Sequence, residues 1–184
     1  MRSLLSSWSL AAFGVTAFAV AACSTPATEQ TTSALPPSQA AGSSGTLAPG
    51  TRCVARDGLP DPRCTPGQAD PRVTPANVRS TICRRGYSAS VRPPQQVTYR
   101  IKVRTTRAYG VTVPFSQVEL DHLVPLSLGG TSTDANLWPE LRSGPRGAAT
   151  KDDVEVRLHD AVCSGRLGLR AAQRAIASDW TTAR

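Results

Sequence analysis

The 184-residue chain is short of several things. Aromatic residues make up 5%, and there are only two histidines, one methionine and, among 21 basic residues, two lysines. So few rings leave a small core built from Leu, Val, Ile and Ala, while an apolar fraction of 40% excludes a wholly disordered chain. No C-x-x-C pair occurs, which argues against a zinc site on the four downstream cysteines. The longest apolar stretch, residues 10–22, falls short of the roughly 20 residues that cross a bilayer as a helix. Acid is missing from one long segment. Between Asp70 and Glu119 there is none, against nine bases: Arg72, Arg79, Arg84, Arg85, Arg92, Arg100, Lys102, Arg104 and Arg107.

What is present is arginine. Basic residues outnumber acidic ones 21 to 13, a net charge of +8. The guanidinium fork meets phosphate in a planar, bidentate fashion, so an arginine-borne excess favours anionic partners. The acid-free block, with Arg100, Lys102, Arg104 and Arg107 at its centre, predicts a sequence-independent, salt-sensitive grip on a phosphate backbone. DNA is favoured over RNA as the partner.

Arg2 followed by the apolar residues 10–22 is expected to be a signal peptide, residues 1–22. Its end, Val20-Ala21-Ala22-Cys23, resembles a bacterial lipobox, so Cys23 is the expected lipidation site. Residues 23–50, rich in Ser, Thr, Ala, Pro and Gly, form the lipidated Cys and a flexible linker reaching roughly 30 Å. The folded domain is expected over 51–184. The protein would be an exported monomer held by its lipid on the outer side of the cytoplasmic membrane, or in the periplasm or extracellular space. Four further cysteines in an exported chain read as two disulfides. Cys53 and Cys64 bracket a short Pro/Gly/Asp segment and are expected to pair, leaving Cys83 with Cys163. That second loop of about 80 residues is worth on the order of 4 kcal/mol.

Thr74-Pro75 predicts a short helix that carries Val78 and Ile82 inward and ends near Cys83. Residues 95–109 are ambiguous: Val97, Tyr99, Ile101 and Val103 alternate like a strand, yet Pro93-Pro94 and Gly110 bracket a helix-length segment. Residues 117–122 read as a short strand. Residues 150–163 read as a helix with a Thr150/Asp153 capping box and an apolar stripe of Val154, Leu158 and Val162. A last helix, about 169–180, carries Leu169, Ala172, Ile176 and Trp180 on one side. Leu137 and Trp138 are assigned to the core.

The chemically informative stretch is Glu119-Leu120-Asp121-His122-Leu123-Val124-Pro125-Leu126-Ser127-Leu128-Gly129-Gly130, then Asn136-Leu137-Trp138-Pro139. Asp-His, Pro-Leu, Gly-Gly and Asn-Leu in this order resemble the HNH family of ββα-metal nucleases. More broadly, residues 83–180 resemble exported bacterial HNH-like proteins with a later Lys-Asp-x-x-Glu-x-x-Leu-His-x-x-Val-Cys helix. The resemblance implies an α+β fold, a small helical domain around a ββα-metal hairpin-helix core stapled by two disulfides. It favours a helix over 95–109. It implies metal-dependent hydrolysis of nucleic-acid phosphodiesters, with His122 as general base, Asp121 as a ligand to Mg²⁺ (or Mn²⁺ or Zn²⁺), and Asn136 tying the strands together and orienting His122.

The chain departs from the family where the helix normally supplies a His or Asn. There it reads Arg142-Ser143-Gly144-Pro145-Arg146-Gly147, none of which ligates a cation. Substitutes three and four residues apart on the following helix are Asp152, Glu155 and His159, with His159 the first choice and Glu155 the second. Lys151 is a candidate phosphate contact. The alternative reading is a non-catalytic envelope lipoprotein that keeps the scaffold and binds polyanions.

Overall fold

The computed structural model describes residues 46–184. The expected signal peptide, Cys23 and most of the linker lie outside the described residues. Leu47, expected in the linker, already packs beside Cys53, Cys64 and Ala108, and its N–H donates to Asp134 Oδ2 at 2.6 Å.

The architecture is mixed α and β, with one small sheet. Helices α1 (Tyr87–Val91) and α2 (Gln95–Ala108) precede strands β1 (Val118–His122) and β2 (Leu137–Leu141), and helices α3 (Ala148–Cys163) and α4 (Leu169–Asp179) close the chain. The strands pair antiparallel, Val118 opposite Leu141 through His122 opposite Leu137. Two disulfides, Cys53–Cys64 and Cys83–Cys163, join positions 11 and 80 residues apart, the pairing expected from the sequence.

The segment 95–109 is a helix because Ile101, Thr105 and Ala108, spaced for one helical face, are buried together with the adjoining Thr106, while Val97 and Tyr99 of the strand-like alternation are exposed. Thr105 tolerates burial by donating its hydroxyl to the carbonyl of Ile101 (3.0 Å). Gly110, at φ 61°, turns the chain out of α2 and lets the Val111 N–H return to the Thr106 carbonyl.

Two local expectations are corrected. Around Thr74 only a single 3₁₀ turn forms, Pro75–Asn77, and the chain continues to Cys83 in turns; Ile82 is nonetheless buried and Val78 packs on the core. The Thr150/Asp153 capping box does not form. Gly147 is the N-cap and α3 starts at Ala148, with Thr150 already inside the first turn and its hydroxyl donating to the Gly144 carbonyl. The apolar stripe is as expected: Val154, Leu158 and Val162 face Trp138, Leu169, Ile176 and Trp180 in one core. Trp180 anchors α4 to the N-terminal part of the domain by donating its ring N–H to the Gly58 carbonyl (2.7 Å).

Candidate active site

Side chains alternate along each strand, so the ribbon has two chemically different faces. Asp121 shares one with Glu140 and Trp138, while Glu119, on the same side by alternation, is half-exposed near the start of β1 and turns its carboxylate to Arg142 at the edge of the ribbon. Leu120 and His122 share the other with Pro139 and Leu137. Helix α3 covers the first face through Lys151, whose ammonium reaches Asp121; α2 lies on the side of the second, beside His122. The adjacent pair Asp121-His122 is therefore split across the ribbon rather than brought into one cavity.

The loop between the strands is fixed by Asn136. Its side-chain carbonyl accepts from the Val124 N–H, and its amide donates to the carbonyls of Val124 and Thr131, all at 2.8 Å. Where the resemblance implies a tie between the strands, Asn136 clamps the backbone of the loop that joins them, at a fully buried side chain. Gly130 makes the clamp possible: a Cβ there would meet the Val124 carbonyl oxygen at 1.7 Å and the Asn136 amide at 2.7 Å.

On the α3 face, Lys151 has no exposed surface. It donates to Asp121 Oδ2 (2.6 Å), to the His122 carbonyl (2.7 Å) and to Glu155 Oε1. Burial alone would lower its pKa, but the Asp121 and Glu155 carboxylates outweigh that and hold the ammonium charged. Glu140 stands beside this group, 1% exposed, and neither of its carboxyl oxygens meets a donor. Burial, and then the Asp121 carboxylate, push Glu140 well above the usual carboxylate range, so it keeps a proton at neutral pH. Burial likewise raises Glu155, against the pull of Lys151.

Glu140 was not foreseen. Its signal lies in the even spacing from Trp138 in Leu137-Trp138-Pro139-Glu140, which sets it on the same face as Asp121. Lys151 also had a signal, three residues before Val154 and seven before Leu158 on the buried stripe of α3.

The divalent ion that the resemblance implies does not fit this cluster as it is packed. Among the described residues no three His, Cys, Asp or Glu side chains are gathered to hold a metal. The Lys151 ammonium occupies the point on which Asp121 and Glu155 converge. His159 is not part of the group: its Nε2 lies 3.0 Å from the Ile82 carbonyl and 3.4 Å from Cys163 Sγ, against the disulfide. Asp152 is exposed on α3.

His122 belongs to the opposite side. It contributes to the wall of a cleft of about 580 Å³ whose lining includes Arg92, Tyr99, Lys102, Phe115 and Arg142. The ring is 6% exposed, and Nε2 lies 2.9 Å from the Ser132 hydroxyl. Burial lowers its pKa to about 4; Arg92 and Lys151 push the same way and Asp121 opposes them. The imidazole is therefore neutral throughout the physiological range. Three cationic side chains line the cleft against one acid, Glu119, which pairs with Arg142.

The expected phosphate contacts fall into two groups. Arg100 and Arg107 are exposed on α2. Arg104 forms a bidentate pair with buried Asp134 (2.7 and 2.6 Å). Lys102 donates to the carbonyls of Phe115 and Val118, and Lys151 is enclosed. These last three hold the fold together, and the enclosed Lys151 has no surface to offer a phosphate. Comparisons with protein-family models, with curated proteins and with solved structures find no match to this chain.

Proposed function

We propose that the domain hydrolyses nucleic-acid phosphodiesters at the His122 cleft, as an HNH-type endonuclease of an exported lipoprotein. The observation that carries this reading is a neutral, hydrogen-bonded imidazole in the wall of a cleft with three cationic side chains and one acid. The order strand, strand, helix over 118–163, with Asn136 clamping the intervening loop, is compatible with a ββα core. The two disulfides suit an oxidising compartment outside the cytoplasm.

The chemistry asked of this chain is modest. With Nε2–H donating to the Ser132 hydroxyl, Nδ1 keeps a lone pair. It takes the proton of a water that attacks phosphorus, while the sugar oxygen on the far side departs and is protonated from solvent. Arg92 and Arg142 offset the charge that builds on the phosphoryl oxygens. General-base assistance is worth about 10²- to 10⁴-fold for a base matched to the working pH, and an imidazole held near 4 supplies the lower end of that range. The carboxylates expected to hold a metal, Asp121 and Glu155, are gathered around Lys151 instead.

That same arrangement favours a second reading, a polyanion-binding envelope protein without catalysis, in which the Lys151 ammonium lies between the carboxylates that the resemblance assigns to an ion. Incubation of the full chain with plasmid, in Mg²⁺, in Mn²⁺ and in chelator, decides between the two. Cleavage that falls at least about 100-fold in His122→Ala supports the nuclease. Equal cleavage by wild type and variant removes His122 from the chemistry, and salt-sensitive binding with no cleavage in any of the three buffers favours the binder.

A further inference from the structure

Two of the chain's few aromatic rings are not used by its core. Tyr99 is 58% exposed on α2 and Phe115 is 39% exposed in the turn before β1, and both line the His122 cleft. Exposed rings at the rim of a basic cleft engage duplex DNA only by prying its base steps apart, at a cost of about a few kcal/mol, because its base faces are already stacked on one another. They match a strand whose bases are free to stack on them. Phe115 is held in position: Lys102 donates to its carbonyl at 2.8 Å and sits 5.2 Å from its ring centroid. Burial and the nearby Arg142 lower the Lys102 pKa, against the pull of Glu119.

The surface continues past the cleft along α2. Gln95 and Tyr99 line both the cleft and an adjoining shallow depression that ends at Arg100. Arg100 in turn borders a neighbouring cavity with Arg107. A polynucleotide backbone can thus follow exposed guanidinium groups from Arg92 to Arg107 while its bases meet Tyr99 and Phe115.

We infer that the His122 cleft and the Tyr99 face of α2 form a track for single-stranded nucleic acid, with Tyr99 and Phe115 as stacking platforms. The inference names the substrate form for the site proposed above and rests on that reading for its location.

The test is binding rather than cleavage. Fluorescence anisotropy of labelled oligo(dT) and of a duplex of equal length, with the full chain in chelator at about 0.1 M salt, gives both affinities without hydrolysis. The single strand is expected to bind about tenfold or more tightly than the duplex. Tyr99→Ala and Phe115→Ala should each weaken oligo(dT) binding roughly 5- to 100-fold and leave duplex binding unchanged. Val156→Ala, exposed on α3 and outside the cleft, should bind oligo(dT) like wild type. Equal affinity for the two forms overturns the inference, as does oligo(dT) binding that is indifferent to both ring removals while thermal unfolding is unchanged. Plasmid cleavage with no single-strand preference would sink the track and spare the nuclease; a preference without cleavage would do the reverse.

Discussion

At the residue scale the decisive facts are the states of one imidazole and one ammonium. His122 has an ordinary pKa of 6.5 when unfolded and about 4 when folded, because burial disfavours its charged form. Between those values the unfolded chain takes up a proton that the folded chain refuses. This contribution to stability is complete above pH 6.5 and is lost as pH falls towards 4, by about 3 kcal/mol. Urea midpoints at pH 7 and pH 5 should show the loss in wild type and a smaller one in His122→Gln; equal losses would mean that the ring is not desolvated. Lys151 is the opposite case, a charge kept because carboxylates surround it. Lys151→Met removes the ammonium and leaves Asp121 and Glu155 facing each other, which should cost about 3 to 5 kcal/mol. A change below about 1 kcal/mol in urea denaturation at pH 7 would show that the cluster relaxes to solvent.

At the scale of elements, α2 shows how local pattern misleads. Its apolar residues alternate because Val97 and Tyr99 are on the surface, whereas the true helical stripe includes a threonine that periodicity counts as polar. Ile101→Ala should therefore cost about 2 to 4 kcal/mol, and Val97→Ala less than about 0.5, by chemical denaturation; comparable losses would argue for a buried strand face. α4 and the stripe of α3 were legible because their core positions are mostly apolar, with Gln173 and Lys151 the exceptions. The start of α3 was not, since Gly147 caps it without a side chain and the Thr-x-x-Asp pattern three residues on is the stronger signal in the sequence. The candidate site was legible in its members more than in its arrangement. Asp121, His122 and Asn136 stand out in sequence, but strand alternation divides the first two. Glu140 and Lys151 were hidden because charged residues at core positions make sense only once their partners across the fold are known.

At the scale of the whole molecule, the two disulfides do unequal work. Cys83–Cys163 closes a loop of 80 residues and Cys53–Cys64 one of 11. By chain entropy the first is worth about 4.5 kcal/mol and the second about 3. Paired Cys→Ser variants followed by thermal unfolding should show the larger drop for Cys83/Cys163, and the reverse order would mean that native-state packing around the bridges outweighs loop closure. The close spacing of Cys53 and Cys64 made their bridge legible in the sequence, and Cys83–Cys163 followed by elimination. The hairpin it helps to frame has only two strands, which ordinarily leaves two hydrogen-bonding margins for a foreign chain to latch onto. Pro139 sits in the middle of one strand without an N–H, and Lys102 engages the Val118 carbonyl of the other. Both borders are thereby spoiled for zipper-like recruitment of further copies, which protects a domain with this little sheet from stacking into fibrils when it is crowded.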